Sequence, residues 1–229
     1  MKDLAIIETI LRNRYHFFIE IREGVGLQEK MRAMLFSSIA FMALYGAVLG
    51  STHSLWQALS SAVKLPILFM ATLIVCAPTL YFFNVLFGSN QSITQNVALI
   101  LTAITVTAVI LLSFAPITMF FLLTTSHYQF FKLLNVFIFA IAGSAGVVFL
   151  SQGMRVVSGA EGEGKRARRW VLYMWIIVYA FVGSQMAWTL RPFIGAPSMG
   201  FELFRQLGGN FYTNIFASIG EILGFVTVR

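Results

Sequence analysis

Between Lys64 and Lys132 lie sixty-seven residues without a single aspartate, glutamate, lysine or arginine. A soluble domain does not keep charge out of so long a stretch, because about a quarter of its residues are normally charged. Lipid does, since an ionised side chain is expensive inside a bilayer. The chain as a whole shows the same bias: 58% of its 229 residues are hydrophobic and 11% are charged.

A helix needs about twenty mainly apolar residues to cross the hydrocarbon core, at 1.5 Å of rise per residue. Five segments meet this, at about 33–50, 65–87, 94–123, 133–150 and 170–190. The expected fold class is an all-α membrane protein with five transmembrane helices and amphipathic N-terminal and C-terminal segments. The chain divides accordingly into a cytoplasmic amphipathic helix over 1–31, a transmembrane domain over 32–190 and an interfacial segment over 191–229. Pro66, just after Lys64, is expected in the first turn of the second span, where its missing N–H costs little. Pro116 is expected to kink or break the third.

Orientation is read from lysine and arginine, which accumulate on the cytoplasmic side. With five spans and a cytoplasmic N-terminus, that side receives eleven of them and the other side five, namely Lys64, Lys132, Arg191, Arg205 and Arg229. The net charge of +7 is therefore a topology signal, and no nucleic-acid partner is expected.

Leu4, Ile7, Ile10, Leu11, Phe17, Phe18 and Ile21 recur on broadly one helical face ahead of the first span. Such a helix is expected to lie in the membrane interface, or alternatively to dock a partner helix. Gly24 and Gly26 permit a turn into the span. The C-terminal segment holds two apolar-periodic pieces separated by Gly208 and Gly209, the second carrying Phe211, Ile215, Ile219, Ile222 and Val226. It is expected on or beneath the outer surface, with re-entry or a sixth crossing as alternatives.

Small residues spaced four apart let membrane helices approach closely. Gly46 and Gly50 have that spacing, although glycines ending a span would look the same; Gly143 and Gly146 belong to a mid-span small-residue patch expected to pack on a neighbour. Intramembrane polar residues are few, and Thr or Ser hydroxyls readily bond their own helix carbonyls. Gln185, Trp188 and Arg191 share a face near the outer end of the fifth span, a candidate contact for a partner or a lipid headgroup. Lys165, Arg166, Arg168 and Arg169 follow the glycine-rich loop G-A-E-G-E-G and are candidates for contact with anionic lipid.

Catalytic and cofactor signals are weak. His53 and His127 fall on the same expected side but lack carboxylate or cysteine neighbours at ligand spacing. The one cysteine, Cys76, sits in an apolar run and allows neither a disulfide framework nor a cysteine metal site. Phosphate-binding, H-E-x-x-H and G-x-S-x-G patterns do not occur. No catalytic residue, metal or cofactor is expected.

The second span, L-P-I-L-F-M-A-T-L-I-V-C-A-P-T-L-Y-F-F-N-V-L-F-G-S, with S-F-A-P-I in the third and Q-M-A-W-T-L-R-P-F-I-G after the fifth, resembles an uncharacterised bacterial family of polytopic integral membrane proteins, well represented in cyanobacteria. Some members are labelled as WASP-homology actin-binding-domain proteins, but this chain has no amphipathic helix followed by the basic L-K-K-T-like element of that motif. It is also loosely similar to the five-span Yip-type membrane proteins, sharing a G-S-x-x-S turn before a long third helix. These resemblances imply a bacterial inner membrane or a thylakoid membrane and a non-enzymatic role.

The expected function is a multi-pass membrane scaffold or accessory subunit that contacts other membrane proteins or a second copy of itself, besides lipid. The alternative is a channel or transporter for a neutral or lipid-like solute, with Asn84, Asn96 and Gln185 along a weakly polar path.

Overall fold

A computed structural model describes residues 2–86, 91–125, 127–158, 165–195, 200–205 and 209–223, without the side chains of 2–4, 165 and 167–169. The glycine-rich loop at 159–164, the Gly88–Ser89 pair of the expected turn, Gly208, Val226 and the side chains of Leu4, Lys165, Arg168 and Arg169 lie outside the described residues. The described residues are helical, in the order α1 (Lys2–Arg12), α2 (Arg14–Glu23), α3 (Leu27–Gly50), α4 (Leu55–Leu86), α5 (Ile93–Thr124), α6 (Tyr128–Val157), α7 (Lys165–Thr189) and α8 (Phe211–Ile222), and contain no strand. Helices α3 to α7 are each long and apolar enough to cross a membrane. The chain is an all-α, multi-pass membrane protein.

Its helices outrun the apolar segments that announce them. Helix α4 starts at Leu55, so Lys64 and Pro66 lie in its interior and not at the start of a span. Helix α5 likewise continues through Pro116 to Thr124 without the expected break. In lipid the backbone must satisfy its own hydrogen bonds, so a proline inside a membrane helix is tolerated where neighbours support it.

The N-terminal segment forms two helices, divided at Asn13, where one was expected. Ile10, Phe17, Phe18 and Ile21 are buried in the same cluster as Met34 of α3, Leu99 of α5 and Met154 of α6. Leu11, expected on the same face, is exposed. Gly24 and Gly26, at φ +79° and +62°, take the left-handed conformations that turn the chain into α3.

Within the bundle α3 lies between α4 and α5, while α6 packs on α5 and α7 on α4. Glycines set the closest approaches. A Cβ at Gly46 would meet the backbone carbonyl of Ser61, one at Gly50 that of Gln57, and one at Gly146 the Thr107 hydroxyl and, at 2.8 Å, the Ala103 carbonyl. At Gly143 a Cβ would meet nothing of this chain within 4 Å, so within the bundle it is Gly146 and not Gly143 that packs against α5.

Buried hydroxyls then join the helices. Tyr45 of α3 donates to Asn135 Oδ1 of α6 at 2.8 Å and lies 3.2 Å from the Thr118 hydroxyl of α5. Ser38 and Thr105 meet at 3.0 Å across α3 and α5. Thr72, Thr102 and Thr105 donate to carbonyls one turn back in their own helices. The bonds between helices are worth about 0.6–2 kcal/mol each inside a membrane protein.

Candidate functional site: the C-terminal cap

Helices α3, α5 and α7 end where α4 and α6 begin, and the described part of residues 190–223 folds onto that end of the bundle. Lys64 organises this cap. It lies in the third turn of α4, about 14 Å from the start of the helix, and is 4% exposed. The sequence placed it on the outer side just ahead of the second span, whereas it lies inside α4 and is buried.

Removing an ammonium from water is costly unless acceptors replace its hydration. Lys64 Nζ donates to the carbonyl of Leu203, lies 3.5 Å from that of Pro192 and sits 4.8 Å from the centre of the Phe204 ring. The Arg205 amide donates to the Arg191 carbonyl at 3.2 Å, closing the loop whose two ends Lys64 holds. Gln57 Nε2 donates to Pro192 O at 2.8 Å and the Ser61 hydroxyl to Phe193 O at 2.7 Å. Gly195 lies directly against the His53 ring. The first three turns of α4, through Gln57, Ser61 and Lys64, together with His53 just ahead of the helix, thus serve as the seat of the C-terminal segment.

Helix α8 extends the cap sideways. Asn210 caps it, accepting from the Thr213 amide at 2.9 Å. Gln129 Nε2 donates to Glu221 Oε2 at 2.7 Å and Lys132 Nζ to Asn214 Oδ1 at 3.0 Å, which ties α8 to α6. Tyr212 stacks on Phe181 and its hydroxyl lies 3.0 Å from that of Ser184, which ties α8 to α7. Twelve residues rise about 18 Å, short of a crossing.

Of the candidate contact face, Trp188 and Arg191 are brought together, with the guanidinium carbon 3.3 Å from the centre of the indole ring. The Trp188 N–H donates to Gly209 O at 3.2 Å, so both residues also serve the chain's own C-terminal segment. Gln185 lies on the same stretch of α7, half-buried. Burial first, and the Arg205 guanidinium second, hold Arg191 below the ordinary arginine range, with Tyr128 acting the opposite way. Arg205 pairs with Glu202 at 3.0 Å. Sequence reasoning missed the Lys64 seat and Arg205, because neither carries a local motif; the contacts join residues more than 120 positions apart.

The remaining candidates are dispersed. Arg166 is exposed near the start of α7, at the other end of the bundle. Asn84 and Asn96 are buried at that other end as well, in the last turn of α4 and the first of α5, whereas Gln185 is near the C-terminal end. His53 and His127 sit in different turns of the cap end, and among the described residues no three His, Cys, Asp or Glu side chains group as metal ligands. In comparisons with known proteins the chain matches no family model, no curated protein and no solved structure.

Proposed function

We propose that this membrane protein is a non-enzymatic scaffold or accessory subunit that pairs with another membrane protein through the outer face of α7. One inversion carries the reading. Of the five spanning helices α7 is both the least hydropathic and the least buried, with 11% of its most apolar stretch covered by the chain, against 61% for α5, the most hydropathic. A helix facing lipid on most of its surface should be the most apolar of the set, so another protein is the better cover for α7. Its outward residues include Tyr173, Met174 and Phe181, types enriched at protein interfaces.

The non-enzymatic reading is supported by how the buried polar side chains are used, since Tyr45, Ser38, Thr102 and Thr105 are engaged in helix packing. The lysine and arginine distribution supports an N-terminal end facing the cytoplasm, and the sequence resemblance supports a bacterial inner membrane. Native mass spectrometry of the full chain after mild solubilisation tests the proposal. A defined assembly heavier than the monomer is expected, and a monomer carrying only lipid would contradict it.

A further inference from the structure

A helix that packs on a protein surface in water buries its apolar stripe and leaves its polar face to solvent. Helix α8 does largely the reverse. Its polar side chains face the bundle: Asn214 accepts from Lys132 Nζ, Glu221 accepts from Gln129 Nε2, and Ser218, 2% exposed, donates to the Asn214 carbonyl one turn back. Phe211 and Ile215 are half-buried beside them. The other large apolar residues face outward, with Phe216 73% exposed and Leu223, at the C-terminal end, 62% exposed. Tyr212, Phe216, Ile219 and Leu223 are spaced i, i+4, i+7 and i+11, so these exposed residues form one stripe along the helix.

The level of α8 along the bundle says what covers that stripe. Tyr212 meets Phe181 and Ser184, which lie about 12 and 8 Å short of the end of α7. Asn214 is held by Lys132, one turn into α6, and Glu221 by Gln129, in the first turn of α6. The start of α8 thus lies alongside the spanning helices, and its other end rises to where α6 begins. Amphipathic helices resting in a bilayer sink their apolar face about 5–10 Å into the boundary between headgroups and acyl chains, a similar depth. The stripe also has little to offer a polar partner. The Tyr212 hydroxyl is engaged with Ser184, and neighbouring Thr213 closes the cap of its own helix with Asn210.

We propose that α8 is a lipid-embedded helix of the leaflet at the cap end, with Tyr212, Phe216, Ile219 and Leu223 set among the acyl chains and its polar side fixed to α6. It lies in the membrane boundary without crossing it. Acyl chains ask for apolar surface and no hydrogen bonds, which is what the stripe presents. Exposed Phe120 and Leu123 on the last turns of α5, and Phe181 beneath Tyr212, carry apolar surface on along the bundle at the same end. The same reasoning that gives the less apolar α7 a protein cover gives the stripe of α8 a lipid one, and the two contacts are tested separately.

The test places one nitroxide spin label at a time on the full chain in phosphatidylcholine nanodiscs, in a Cys76→Ser background that removes the chain's one thiol. Collisions of the label with oxygen, which concentrates in hydrocarbon, are compared with collisions with a water-soluble nickel chelate. Labels on Phe216→Cys and Leu223→Cys report on the stripe. Ile74→Cys, on the exposed side of α4, gives the lipid reference, and Ser51→Cys, in the exposed turn between α3 and α4, the water reference. Both stripe positions are expected to show an oxygen-to-nickel ratio severalfold above that of Ser51→Cys, approaching that of Ile74→Cys. Circular dichroism confirms that each variant keeps its helices, and Leu223→Cys decides the matter if Phe216→Cys does not fold. A ratio equal to that of Ser51→Cys would place the stripe in water, and few collisions with either reagent would place it under another protein or a second copy; each result would overturn the proposal.

Discussion

The indole N–H of Trp175 donates to the backbone carbonyl of Cys76 at 2.9 Å, pinning α7 to α4 through two residues that are both buried. Cys76 is also the chain's one cysteine, so the joint carries its own chemical probe. Trp175→Ala removes the bond and a large buried ring, a loss of about 3–5 kcal/mol by the usual cost of such truncations. Maleimide labelling of Cys76 in detergent is expected to accelerate at least tenfold in Trp175→Ala. An unchanged labelling rate would mean that α7 does not shield this thiol.

Two glycines from the same kind of sequence pattern should respond in opposite ways. Gly46→Ala places a methyl on the Ser61 carbonyl, and separating α3 from α4 to admit it is expected to cost about 1–3 kcal/mol. Gly143→Ala meets open space and should change stability by no more than about 1 kcal/mol, with helix propensity favouring alanine. Unfolding in mixed micelles, titrated with dodecyl sulfate, measures both.

The cap should loosen when its seat is removed. Lys64→Met keeps most of the side-chain volume and deletes the donor to Leu203 and its neighbour Pro192. Hydrogen bonds to a charged group contribute about 1.5–3 kcal/mol. Tryptic cleavage after Arg205 is therefore expected to speed up by roughly tenfold or more, while cleavage after Arg12, at the far end, stays as in wild type. Equal rates at Arg205 in variant and wild type would show that Lys64 does not restrain the loop.

The five membrane helices were legible because lipid imposes a coarse rule on composition, and the uncharged stretch between Lys64 and Lys132 obeys it over two spans and the start of a third. Their ends were not. Leu55 to Lys64 continues α4 in a more polar sequence, and Pro66 and Pro116 are accommodated inside helices where local rules expect a start or a break. Gly46 and Gly50 contact α4 and Gly146 contacts α5, but spacing alone gave no reason to separate Gly143 from them. That distinction depends on which face of α6 meets α5. The cap was legible only in fragments, as Trp188 and Arg191, since its organising residue is bound by carbonyls, which every residue possesses and no motif marks.

The central claim, that α7 faces another protein, is tested most directly by a photoreactive amino acid at Val178 in native membranes, with the same group at Ile74 on the exposed side of α4 as control. The account predicts a discrete protein adduct from Val178, of one defined added mass, and only lipid adducts from Ile74. Lipid adducts alone at both positions would contradict it.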